Sequence, residues 1–290
     1  MNAAPRSATV FQMDVEVDDS ICQAADAIRR SSALLITAGA GMGVDSGLPD
    51  FRGPEGFWKA YPPYRRLGLR FEQLASPEHF QRDPYLAWGF YGHRLHLYRN
   101  TKPHGGFAIV REWAISKPAA FFIFTSNVDR QFAAAGFPVD RIVECHGSIH
   151  HLQCAEPCDG ECWPADATNV EVDPVTMRAQ DPLPTCPHCG KIARPNILMF
   201  GDFAWLSDRT DSAGTRMTDW CRSLAPNRLC IIECGAGTGI PTVRLESERL
   251  ARKLSGTLIR INVREAQVPA AQISIPLPAA EALSRIASLS

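Results

Sequence analysis

The chain has 290 residues, with 30 Lys+Arg against 31 Asp+Glu, 45% hydrophobic residues and 10 Cys. A net charge of −1 argues against a dedicated nucleic-acid binder, which needs surplus cations to release counterions from phosphates. No window approaches ~20 uninterrupted apolar residues, and residues 1–19 lack the basic-then-apolar layout of a secretory signal, so a cytoplasmic protein without a helical membrane span is expected.

In chain order, Ile21, Ala24, Ala25 and Ile28 recur at helical spacing over residues 18–31, with Asp18 or Asp19 as the N-cap. The apolar run 33–37 stops at Gly39 and reads as a buried parallel strand. Similar runs lie at 120–124, 229–232 and 257–261, and helices are predicted over 105–116 and 242–254. Strands alternating with helices predict an α/β fold, a Rossmann-like parallel sheet with helices on both faces. Two segments break the rhythm. Residues 52–102 read as a helical insertion with 9 Lys+Arg against 4 Asp+Glu. Residues 154–189 hold five Cys and little periodicity, and read as a small lobe. The tail, 266–290, is expected to dock its last helix.

After the first strand the chain reads Gly39-Ala40-Gly41-Met42-Gly43-Val44-Asp45-Ser46-Gly47-Leu48-Pro49-Asp50-Phe51-Arg52. Glycines at a strand's carboxyl end let backbone N–H groups approach a pyrophosphate. Strict Gly-x-Gly-x-x-Gly spacing fails at Val44, and no acidic residue follows at a second strand end, which disfavours a hydride-transfer dehydrogenase. A tight turn needing glycines for steric reasons alone is the plainer reading.

Gly-Ala-Gly-Met running into Ser-Gly-Leu-Pro-Asp-Phe-Arg-Gly resembles the nucleotide loop of the sirtuins, NAD-dependent protein-lysine deacylases. Three further stretches agree in order. Thr125-Ser126-Asn127-Val128-Asp129 stands where the family has Thr-Gln-Asn-Ile-Asp; His146-Gly147-Ser148 and paired cysteines follow; then comes Arg194-Pro195-Asn196-Ile197-Leu198-Met199-Phe200-Gly201-Asp202. The resemblance covers roughly residues 20–265. It implies a discontinuous NAD-binding domain (1–51, 103–153 and 190–290), a cofactor loop with helical insertion (52–102) and a zinc-binding lobe (154–189).

Imidazole, with a pKa near ~6.5, suits general-base work at neutral pH. The resemblance assigns that role to His146, which takes a proton from the NAD ribose after nicotinamide leaves and the acyl oxygen has attacked the anomeric carbon. It also implies that Asn127 orders the ribose and a water, and that Asp129 recognises the nicotinamide carboxamide. On the residues alone, either could be an Asx turn capping a helix at 130–135. Gly39, Ala40, Gly41, Asp50 and Arg52 would lie about the phosphates, with Phe51 over the reactive ribose face. Gly235, Gly237 and Asn262 would be later nucleotide contacts, or ordinary turns. Ser126 departs from the family's Gln and Gly43 from a common Ser, which keeps mono-ADP-ribosyl transfer or NAD hydrolysis open beside deacylation. A non-catalytic NAD or ADP-ribose sensor is the third reading.

Ten cysteines without an export signal read as thiols or metal ligands. Cys154-x3-Cys158 and Cys186-x2-Cys189 present two thiolate pairs to one tetrahedral zinc, with Cys162 a substitute for Cys158 and His188 a further candidate. All four positions filled make such a zinc structural. Tyr91 and Arg94 fall on one helix face, where a phenol and a guanidinium could hold a carboxylate. Desuccinylase-type sirtuins carry this Tyr-x-x-Arg pair with a small Ala upstream, matched here by Ala75, which implies a pocket for succinyl- or malonyl-lysine as well as acetyl-lysine. A helix with a packed Tyr and a surface Arg is the plainer alternative. Phe200 and Gly201, with Met199, would line the lysine channel. The expected partner is therefore an acylated protein lysine, with no stable nucleic-acid or membrane binding. A monomer is expected because no long apolar seam stands out.

Overall fold

The four apolar runs become strands β1 (Ala33–Ala38), β2 (Phe121–Thr125), β7 (Leu229–Cys234) and β8 (Thr257–Ile261). Five strands not anticipated above join them among the described residues: β3 (Ile142–Glu144), β4 (Gly147–Cys154), β5 (Cys162–Pro164), β6 (Ala193–Ile197) and β9 (Ile273–Ile275). The computed structural model describes residues 6–49, 57–59, 61–66, 68–156, 158 and 161–289. One sheet has six strands in the order β3-β2-β1-β7-β8-β9, and a second has three, β5-β4-β6. The chain forms two compact units: one holds the described residues up to Asp45, His104–Phe124 and the chain from Thr218 onward; the other holds Ser46–Pro103 and Thr125–Met217.

In the first unit every residue of β1 and β7 is buried, as expected of strands covered on both faces. β1 pairs with β7, β7 with β8 and β8 with β9, all in parallel. The helix Thr242–Lys253 packs on β7 and β8, and the helix Gly105–Ile115 on β1. The tail does dock a helix: Ala279–Ala287 buries Ala279, Ala282, Leu283 and Ile286 at helical spacing and packs against Gly105–Ile115. One polar cluster ties helix to sheet. Arg260 on β8, fully buried, donates from Nη2 to Glu233 Oε2 of β7 at 3.0 Å and to Glu248 Oε1 of the helix at 2.8 Å.

In the second unit β4 pairs antiparallel with both β5 and β6. The helix Pro84–Asn100 and the segments before it share one core with this sheet, including Phe57, Tyr64, Trp88, Phe90, Ile149 and Ile197. Gly89, Gly92 and the aromatic residues here give the long helix no clear polar face, so ten of its 17 residues are buried. A helix not anticipated above, Asp208–Ser223, is mostly polar. Its buried Ala213, Met217, Trp220 and Cys221 form a narrow stripe at helical spacing.

Candidate active site

In the first unit, β1 and β7 end in register at Ala38 and Cys234, so the turns that follow them meet. A Cβ on Gly41 would lie 2.7 Å from Gly235 Cα, and Gly235, with φ +63°, would place one 2.4 Å from Gly41 Cα. Backbone contact therefore requires both glycines, and Gly41 N–H donates to Gly235 O at 3.0 Å. Gly39 is buried in the same contact, Ala40 is exposed and Gly237 half-buried. Asn262 is buried, and its amide is committed on both sides: Nδ2 donates to Ala236 O at 2.8 Å, and Oδ1 accepts from Arg264 N and Glu265 N at 3.1 and 3.0 Å. Thr238 in the same turn donates to the Glu265 carboxylate. Asp50, Phe51 and Arg52 lie outside the described residues.

In the second unit, the segment after β2 and the segment joining β3 to β4 are laced together. Cys145 N donates to Thr125 O at 2.8 Å and Ile149 N to Val128 O at 3.0 Å, while Asn127 N donates to Thr125 Oγ1 at 3.0 Å. Ser126, Asn127 and Asp129 are thereby held beside the His146 segment. Asp129 Oδ1 accepts from Gln131 N at 2.9 Å, capping the short helix Gln131–Ala134; this is the Asx geometry expected above. Burial, more than any neighbouring charge, pushes the Asp129 carboxyl up to about 6. His146 is half-buried, its carbonyl accepts from Leu198 N at 3.0 Å, and desolvation lowers its pKa. Gly147 lies against β6: its φ is +77°, and a Cβ there would sit 2.1 Å from Asn196 O.

A cavity of about 530 Å³ adjoins these segments, lined among others by Asn127, Asp129, Glu144, Ser148, His151 and Arg209. Arg209 Nη1 donates to Glu144 Oε2 at 2.7 Å. The sequence gives no local sign of this pair, because its members stand 65 residues apart.

Met199, Phe200 and Gly201 are positioned from below by an ion pair. Arg194 of β6 donates from Nη1 and Nη2 to the two Asp202 oxygens at 2.7 and 2.9 Å, with both side chains fully buried. Asp202 also accepts from Met199 N and Ala204 N. Phe200 N donates to Ala75 O at 2.9 Å, and the Phe200 ring meets Phe71 edge-on at 6.1 Å. Phe71 in turn lies 6.0 Å beneath the Arg94 guanidinium. Arg94 is buried, not on the surface, and faces the Phe90, Tyr91 and Tyr98 rings as well. Its Nε and Nη2 both donate to Tyr98 Oη, at 3.0 and 2.7 Å. Tyr98, one helical turn beyond Arg94, was not among the residues singled out from sequence, although its i, i+4 spacing carries the signal. Burial pushes the Tyr91 phenol up to about 12.

Cys154, Cys158, Cys186 and Cys189 bring all four Sγ atoms within 4.8 Å of one another. The Cys154–Cys189 and Cys158–Cys186 separations are both 3.7 Å. A tetrahedron with Zn–S bonds of about 2.3 Å has edges of about 3.8 Å, so the four thiols fit a structural zinc. Cys162 lies on β5, paired with Gln153, and is not in the cluster. Elemental analysis is expected to find one zinc per chain, lost in Cys158→Ser and kept in Cys162→Ser. The reverse pattern would contradict this ligand set.

A family model described as "Sir2 family" matches residues 39–220. An "NAD-dependent protein deacylase" of Pyrococcus abyssi is 27% identical over 92% of this chain and 96% of its own length. An "NAD-dependent protein deacylase 2" of Pyrobaculum aerophilum is 30% identical over 90% and 92%, respectively. With the "NAD-dependent protein deacylase" of Pyrococcus furiosus, 33% identical, the match spans 60% of this chain and 63% of the relative. Among solved structures, a Sir2 homologue mutant in complex with ADP-ribose superposes with a TM-score of 0.68 at 24% identity, covering 92% of this chain and 95% of that one. A Sir2 homologue–NAD complex gives 0.66 at 23%, covering 92% and 93%. These two likenesses are of fold.

Proposed function

Because this chain belongs to the Sir2 family, we propose that it is an NAD-dependent protein deacylase, removing acyl groups from protein lysines and releasing nicotinamide and O-acyl-ADP-ribose. The observation that carries this reading is the lacing of the Asn127–Asp129 segment to the segment that holds His146. It sets the segment of His146 alongside the segment that carries the Asn127 amide and the Asp129 carboxyl. In this reading NAD and an acylated lysine are the substrates. Gly39, Ala40 and Gly41 meet the phosphates, Gly235 and Gly237 the adenosine side, and Asn262 acts through the turn it ties together. Ser126 and Asn127 order the ribose, Asp129 takes the carboxamide N–H, and His146 accepts the ribose hydroxyl proton.

Phe200 and Gly201 line the acyl-lysine channel, and Tyr91 with Arg94 seat an acidic acyl group at its end. The Arg94 edge that would clamp a succinyl carboxylate is the one now spent on Tyr98 Oη, so Tyr98 must turn aside as that acyl group enters. The inserted helical segment (52–102) and the zinc lobe (154–189) are read as additions to the NAD-binding domain. No helix among the described residues is long and apolar enough to cross a membrane. We place the enzyme in the cytoplasm as a monomer without stable nucleic-acid contacts.

His146→Ala is expected to lower deacylation by roughly 10²–10⁴-fold, the usual worth of a positioned general base, while zinc content and melting temperature stay at parental values. A variant that deacylates at the parental rate would remove His146 from the mechanism. The pH profile adds a second check. The base works unprotonated, and burial lowers the His146 pKa in the folded chain, so the acid limb of kcat/KM should fall below the ordinary histidine value of about 6.5. A limb centred above that value would contradict the assignment.

A further inference from the structure

Lys59, Arg65, Arg66 and Arg70 stand exposed in the second unit, and the reaction above uses none of them. Packing gathers them about one ring. Trp58 Nε1 donates to Leu69 O at 2.8 Å, which brings the stretch ending in Arg70 beside that of Lys59. The Arg65 guanidinium lies 5.9 Å over the same ring. Gly68 N donates to Arg65 O and Leu69 N to Tyr64 O, both at 3.0 Å, closing the turn that carries Arg65 and Arg66. Phe57, Tyr61 and Tyr64 anchor this turn in the core, so the cations take its outer face. Residues 57–77 hold these four cations and one acid, Glu72. The next acids along the chain are already spent, Glu78 on Arg82 and Asp83 on Arg178. Among the described residues none of the four cations forms an ion pair.

The patch runs up to the acyl-lysine channel. Arg70 leads directly into Phe71, whose ring meets Phe200 edge-on at 6.1 Å. Phe200 is 41% exposed, so this contact lies at the channel's outer end. Four like charges held together without a partner favour an anion supplied from outside. At physiological salt their field is screened within about 8 Å, so that anion has to sit on the patch itself. Guanidinium forks match carboxylates in shape as well as charge. A nucleic acid fits less well, because base stacking needs open aromatic faces and the half-buried Trp58 lies under Arg65 with its N–H spent. We propose that this patch receives an acidic stretch of the substrate protein, Asp or Glu residues within a few positions of the acylated lysine. The inference rests on the deacylase reading, which is what makes Phe200 part of a channel.

Fluorescence anisotropy of the full chain with labelled acetyl-lysine peptides, and turnover of the same peptides with NAD, test the proposal. The peptides differ only in whether Asp, Ser or Lys residues flank the acetyl-lysine on both sides. At low salt the Asp peptide is expected to bind about tenfold more tightly than the Ser peptide, the worth of two or three exposed ion pairs, and the Lys peptide more weakly than either. High salt should erase the difference. Arg65→Glu combined with Arg66→Glu should abolish or reverse the preference while turnover of the Ser peptide and the melting temperature stay parental. Equal affinity for the Asp and Ser peptides would overturn the proposal, as would a preference that survives high salt or the double substitution. An oligothymidylate that displaces the Asp peptide at lower concentration would also overturn it and assign the patch to nucleic acid. Asp-selective binding without turnover of any peptide would uphold the acidic-peptide surface and overturn the deacylase reading instead. Equal binding with normal turnover would do the opposite.

Discussion

Arg194→Leu is expected to destabilise the protein by roughly 3–5 kcal/mol, because it strands the Asp202 carboxylate in a fully buried site. The attraction between the two charges is not the main reason, since desolvation offsets much of it. What the variant loses is the bidentate donor to the Asp202 carboxylate, which water does not reach. Replacing both residues with Leu should therefore recover much of the loss, short of the bonds that Asp202 makes to Met199 N and Ala204 N. Urea denaturation of the single and double variants separates the cases. A double variant no better than Arg194→Leu would show that the pair's hydrogen-bond geometry, and not the orphaned charge, carries the effect. Because Asp202 also ties down the Met199–Gly201 turn, the double variant should raise KM for an acylated peptide more than it lowers kcat.

Gly147→Ala is expected to cost about 3 kcal/mol or more. Alanine at φ +77° is strained, and its methyl carbon would stand 2.1 Å from Asn196 O, a backbone atom of the paired strand that cannot swing away. The register Gly147↔Ile197 would have to open, and with it the hydrogen bond from Leu198 N to His146 O. Loss of stability and loss of activity should therefore appear together here, whereas in His146→Ala they should separate. A folded Gly147→Ala protein with a parental melting temperature would mean that β4 and β6 are not held as described.

The parallel strands were legible because strands buried on both faces are written as unbroken apolar runs, and β8 begins and ends where its run does. β4 and β6 were harder to see. They carry His150, His151, Arg194 and Asn196, whose polarity reads as chemistry until the ion pair and hydrogen bonds that bury them are known. The helix Asp208–Ser223 was missed for a related reason: a four-residue apolar stripe is faint in a polar segment. At the site, spacing named the cysteine pairs but left Cys158 and Cys162 open, and only the sulfur positions separate them. Spacing also put Tyr91 and Arg94 on one helix face but left a surface Arg94 open as the alternative. Its burial among four rings comes from tertiary packing. Arg209 and Glu144 were beyond reach, since a pair 65 residues apart leaves no local pattern.

Mass spectrometry of the purified protein with NAD and matched acetyl- and succinyl-lysine peptides, scoring peptide and nucleotide products together, tests the central claim. Free lysine peptide, nicotinamide and O-acyl-ADP-ribose in equal amounts are the predicted result, with the succinyl peptide consumed through Arg94 and spared by Arg94→Met. Free ADP-ribose with both peptides intact, or an ADP-ribose mass added to protein, would contradict it and place the chemistry with NAD hydrolysis or transfer instead.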